Sequence, residues 1–180
     1  AGAGPLAGTQ SPFALVQEIR EWFDGPLLLS GSIANGNAVL AAQAAGADLA
    51  YIGSAFIATK EANADDAYKQ MIVDSGAEDI VYSNLFTGIH GNYLKKSIEG
   101  AGLDPNALPE SDPSKMNFGS GSSTKSKAWR DIWGAGQGVG AVKDVGDVNT
   151  LVTRLIREYG QARQRLALGE ANAEAMVEPA

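Results

Sequence analysis

Apolar positions recur at helical spacing from Leu15 through Val16, Ile19, Trp22 and Phe23, behind a Ser11-Pro12 start. That pattern predicts a first helix with one buried stripe, ended by Asp24-Gly25-Pro26. Leu27-Leu28-Leu29 is a short continuous apolar run, as in a strand buried on both faces. Ser30-Gly31-Ser32 follows, and the Ala-rich stretch from Asn37 to Ala45 reads as a helix stopped by Gly46. Asp48 to Ile52 predicts a second buried strand, closed by Gly53-Ser54. Strand, glycine-rich turn, helix, strand and glycine-rich turn make a βαβ unit of a parallel α/β fold.

Beyond Lys60-Glu61 the texture changes. Asp65 to Ser75 sets Ala67, Tyr68, Met71 and Ile72 on one helical face, with Gly76 as the stop, and Asp79 to Phe86 reads as extended. Residues 104–127 carry Pro105, Pro109, Pro113 and a Gly/Ser run without a regular pattern, which predicts a lid, a wrap-around arm or disorder. Trp129 to Ile132 reads as a short helical turn. A last amphipathic helix starts near Asp147, with Val148, Leu151, Val152, Leu155, Ile156 and Tyr159 on its buried stripe, before an acidic, frayed tail after Gly169. These boundaries divide the chain into residues 1–62, 63–103, 104–127, 128–168 and 169–180.

Composition narrows the chemistry. Of 180 residues, 44% are hydrophobic and 19% charged, which suits a globular domain. A formal charge of −7 disfavours nucleic acid and anionic membranes as partners. With no Cys and a single His, thiolate and multi-His metal sites are excluded, so no metal is expected. No apolar run reaches the roughly 20 residues of a membrane span, and a cytoplasmic, soluble protein is expected. The opening Ala1 to Gly8 has no initiator Met and reads as the middle of a longer chain.

Gly31-Ser32 and Gly53-Ser54 each lie just past the carboxyl end of a predicted parallel strand, the edge at which such folds bind ligands. Glycine admits a close backbone approach, and the N–H groups and small hydroxyls suit a phosphate; the same pairs also serve as plain strand-to-helix turns. The run Gly134 to Gly140 lacks the preceding strand of a dinucleotide fingerprint. It reads either as backbone laid against a flat ligand, with Gln137 offering its amide, or as a linker. His90, in the polar loop Thr87 to Tyr93, is a candidate base or a surface residue.

Together these stretches resemble the C-terminal half of the nitronate monooxygenase family, formerly 2-nitropropane dioxygenases. The resemblance is carried, collinearly, by Ser11 to Val16, Ser30-Gly31-Ser32-Ile33-Ala34-Asn35-Gly36, Ile52 to Thr59, Phe86-Thr87-Gly88 and Trp133 to Gly140. It implies a (β/α)8 TIM barrel of which this chain holds the last two strands, Leu27–Ser30 and Ala50–Gly53, plus a C-terminal helical extension. It implies FMN as cofactor, bound by Gly4, Gly31, Ser32, Gly53, Ser54 and Gln137, with Ala135-Gly136-Gln137 folding back toward the flavin. The family's Gly-Gly-Ile-Ala-Asp-Gly stands here as Gly31 to Gly36 with Ser32 and Asn35, and its Gly-Thr as Gly53-Ser54.

In function the resemblance implies oxidation of a small alkyl nitronate by O2 to a carbonyl compound and nitrite. Aligned on Gly4 and Gly8, Leu6 occupies the position of the family's catalytic His, and His90 could substitute as base. Two alternatives share the sequence features: an NAD(P)H-dependent enoyl-thioester or quinone reductase, and a non-catalytic flavin-binding subunit. Two of eight strands cannot close a barrel, so the N-terminal half is expected from further chain or from a partner, with a homo-oligomer as an option.

Overall fold

The computed structural model describes the backbone of residues 10–111 and 131–177, and side chains of that set as far as residue 167. Gly4, Leu6, the long loop beyond Ser111 and Trp129 lie outside the described residues.

Helix α1 (Pro12–Arg20) starts with Pro at its first turn behind an extended Ser11. Its stripe is narrower than the sequence predicts. Val16 is buried, but Trp22 and Phe23 fall past the helix end, where both N–H groups donate to the Ile19 carbonyl. That tight turn carries the two rings off the stripe, and Trp22 is 74% exposed. Arg20 anchors the helix end, with Nε on the Gly46 carbonyl at 2.8 Å and Nη2 on Asp48 at 2.6 Å. Asp48 also accepts the Leu27 N–H at 2.7 Å, so one carboxylate joins the starts of both strands.

Strands β1 (Leu28–Ser30) and β2 (Leu49–Tyr51) pair in parallel, with Leu28 opposite Leu49, Leu29 opposite Ala50 and Ser30 opposite Tyr51. Because side chains alternate, Leu29 and Ala50 share the face that packs on Val16, Ala42 and Ala47. Leu28, Leu49 and Tyr51 stand on the other face and are 51%, 55% and 62% exposed. Among the described residues, helices cover one face of the pair only.

Helix α2 (Gly36–Ala44) between them is capped by Asn35, whose Oδ1 accepts the Ala38 N–H at 2.9 Å. After β2 come the single turn α3 (Ser54–Ile57) and helix α4 (Asp66–Val73), the latter capped by Asp65 with Ile72 fully buried. Strands β3 (Ile80–Ser83) and β4 (Gly91–Leu94) form an antiparallel hairpin, followed by α5 (Lys95–Gly100). The sequence reading anticipates neither β4 nor α5. All four β4 residues are buried because the chain at 133–135 returns along the free edge: Leu94 N–H donates to Trp133 at 2.8 Å, and Ala135 N–H to Asn92 at 3.2 Å.

The last helix, α6 (Val148–Val177), runs on past Gly169, where the sequence predicts a frayed tail. Leu151 and Ala162 are buried, whereas Val152 and Ile156 on the predicted stripe are 37% and 68% exposed. The helix turns toward α2 instead, and Gly36 sets the contact. A Cβ there would lie 2.2 Å from the Tyr159 nitrogen. Among the described residues, no helix is long and apolar enough to cross a membrane.

Candidate functional site

The carboxyl ends of β1 and β2 open into a cleft of about 440 Å³, within the roughly 300–1,000 Å³ range of small-molecule pockets. Gly31 and Ser32 line it from one turn, Gly53 and Ser54 from the other, so the structure brings together the two pairs singled out by the sequence. Gly134, Gly136 and Gly138 also line it, with Tyr51, Ile57 and Tyr68. Among the described residues that line it, none carries a formal charge.

Each wall has a local reason for its shape. The chain leaves β1 through two residues with positive φ, Gly31 at 113° and Ser32 at 56°. For Ser32 that left-handed backbone costs about 1–2 kcal/mol, a strain of the kind found at ligand sites. The turn is held from behind. Arg154 donates to the Ala34 carbonyl at 3.3 Å, and the Glu158 carboxylate accepts the Gly36 N–H at 2.9 Å. Glu158 thereby occupies the positive end of α2, so an anion in the cleft must be met by the turns themselves.

Those turns carry free donors. Among the described residues, the N–H groups of Ser32, Ser54 and Ala55 have no protein acceptor. Gly53 has an ordinary φ of −110°, and a Cβ built on it would meet nothing within 4 Å. Neither backbone nor packing demands glycine there.

The glycine-rich wall is ordered. Gly136 N–H donates to Ser54 Oγ at 2.9 Å, and the Tyr68 hydroxyl donates to the Gly134 carbonyl. Tyr68 also stacks on Trp133, with centroids 5.1 Å apart, and burial pushes its hydroxyl up to about 12. A Cβ on Gly138 would lie 2.8 Å from the Ser32 carbonyl carbon, so the wall rests directly on the first turn. The sequence points to Gln137, but it is exposed at the head of the 3₁₀ turn Gln137–Ala141, and its glycine neighbours line the cleft. Tyr68 is the residue that sequence reasoning missed. Its helical spacing marked it as core, and only the fold shows its hydroxyl reaching the wall.

His90 does not line the cleft. Its ring is exposed and stacks on Tyr82 at 4.7 Å.

Comparison with known proteins agrees with this architecture. At the level of fold, the chain is similar to FabK from Thermotoga maritima (TM-score 0.71, 20% identity, covering 92% of this chain and 54% of that one). It is also similar to the nitroalkane oxidase of Streptomyces ansochromogenes (TM-score 0.67, 26% identity, covering 92% and 51%). The fold is therefore that of a (β/α)8 barrel, of which this chain holds a C-terminal part. A probable nitronate monooxygenase of Staphylococcus haemolyticus and a nitronate monooxygenase of Paraburkholderia phytofirmans are each 26% identical, over 86% of this chain and 43% of theirs. The chain thus spans under half the length of these curated relatives. The nitronate monooxygenase family model matches residues 2–158, and with that match over most of its length the chain belongs to this family.

Proposed function

We propose that this chain is the phosphate-binding end of a cytoplasmic, FMN-dependent oxidoreductase that converts alkyl nitronates and O2 to carbonyl compounds and nitrite. The observation that carries the reading is the convergence of two Gly-Ser turns, with unpaired N–H groups, on one uncharged cleft. A phosphate needs donors more than a cation there, and Ser32, Ser54 and Ala55 supply them. Gly53 leaves the room that the phosphate occupies. The flavin, when bound, supplies the redox chemistry; this chain's residues grip its phosphate end and set the angle at which the rest of it leaves the cleft. The remaining strands come from further chain or from a partner, extending the β1–β2 pair from its edges and enclosing the apolar face formed by Leu28, Leu49 and Tyr51.

Leu6 stands where the family has its base, and a leucine accepts no proton. Substrate must therefore arrive already ionised. The test uses the complete protein, supplied with ethyl nitronate or with neutral nitroethane, and reads nitrite. The expected result is turnover of the nitronate at a rate roughly 10²–10⁴ above the neutral form, the usual worth of a positioned base. Equal rates would reject the role given to Leu6. Oxidation of NAD(P)H without nitrite formation would replace the monooxygenase by a reductase.

A further inference from the structure

Among the described residues, three hydrogen bonds fasten the wall from Gly134 to Gly138 to the rest of the chain. Two are structural: the Tyr68 hydroxyl on the Gly134 carbonyl, and the Asn92 carbonyl under the Ala135 N–H at 3.2 Å. The third ends on Ser54 Oγ, which takes the Gly136 N–H at 2.9 Å across 82 residues of sequence. Ser54 belongs to the turn that the proposed function assigns to the cofactor's phosphate.

A hydroxyl has one proton to give and two lone pairs to offer. With one lone pair on Gly136, the Ser54 proton remains available to an acceptor in the cleft. A hydroxyl that donates to an anion becomes a better acceptor itself, so the two bonds strengthen each other. Gly136 is buried, and its N–H has no other partner among the described residues. Loss of the Oγ leaves that donor orphaned.

We propose that Ser54 is a positioning residue that couples the phosphate end of the flavin to the backbone of Gly134–Gly140. Phosphate in the cleft fixes the Oγ, the Oγ fixes Gly136, and the wall is held at one distance from the ligand. Gly138, seated against Ser32, gives the wall its backstop on the other turn. The inference rests on the reading that the cleft takes FMN, and the experiment separates the two.

The measurement is amide hydrogen exchange of residues 134–140 in the complete protein, stripped of flavin and then saturated with FMN or with riboflavin, which lacks the phosphate. In the wild type FMN slows exchange there by about tenfold or more, and riboflavin does so far less. Ser54→Thr keeps the hydroxyl and the FMN-specific protection. Ser54→Ala still binds FMN at raised concentration through the N–H donors but loses that protection. Equal protection by FMN and riboflavin in the wild type overturns the coupling alone, as does undiminished FMN protection in Ser54→Ala. Failure of the wild type to bind FMN overturns the functional reading, and the coupling with it.

Discussion

At the proposed phosphate site, Gly53 is a residue where ligand binding can be separated from folding. Several glycines among the described residues are dictated by the backbone or by a close neighbour, as Gly36 is by α6 and Gly138 by Ser32. Gly53 has neither constraint, so Gly53→Ala should leave the thermal midpoint unchanged within the shift that about 0.5 kcal/mol produces. A methyl in the phosphate's place should nevertheless weaken FMN binding by tenfold or more, about 1.4 kcal/mol. Titration of the flavin-free protein with FMN, beside a melting curve, checks both halves. An affinity left intact would mean that the phosphate lies elsewhere. Ser32 is the opposite case: the family's usual glycine would sit there without strain, and this chain keeps a serine at φ 56°. The sequence marks both turns because Gly-Ser pairs after apolar runs are a local signal. It cannot mark Tyr68, whose role comes from a contact with Gly134, 66 residues away.

Among the elements, α4 bears most directly on the wall, because it delivers Tyr68. Burial raises this hydroxyl's folded-state value from 10 to about 12, which fixes the sign of its pH dependence. The neutral phenol is favoured in the folded state, so its contribution is complete below pH 10. It is lost as the unfolded chain ionises between pH 10 and 12, by up to about 3 kcal/mol. Tyr68→Phe should be less stable at neutral pH, having lost the bond to Gly134, yet show a flatter decline above pH 10. Denaturant titrations of both proteins across that range check this, and parallel curves would count against the buried phenol. Helices were legible from sequence where a start signal and a 3.6-residue period coincide, as at Ser11-Pro12 for α1 and Asp65 for α4, while α2 was legible from its alanine content alone. Strand β4 and helix α5 were not, because Gly91-Asn92-Tyr93-Leu94 has no apolar alternation. Its burial comes from the returning chain at 133–135, a long-range event that a local window does not contain.

For the molecule as a whole, the decisive feature is the bare face of the β1–β2 pair. The register puts Leu28 beside Leu49, with Tyr51 one step further toward the cleft, and all three are more than half exposed. The opposite face of the same strands is well packed on α1 and α2. An open two-stranded parallel sheet of this composition is marginal in water, since parallel strands are found with both faces covered. In a closed barrel the bare face is the interior, where side chains from the other strands would stack in layers against these leucines. The two situations differ in what a charge at Leu49 costs. On a solvent face, Leu49→Asp should change stability by no more than about 0.5 kcal/mol. Inside a filled barrel it buries an unpaired carboxylate and removes a packed side chain, at about 3 kcal/mol or more. Melting of the complete protein with and without the substitution reads the difference, and a large loss is the expected result. A control at Gln17, exposed on α1, should be neutral in the same assay. If Leu49→Asp were as harmless as the control, the bare face would be a true surface, and the phosphate turns would have to hold their cofactor without a barrel around it.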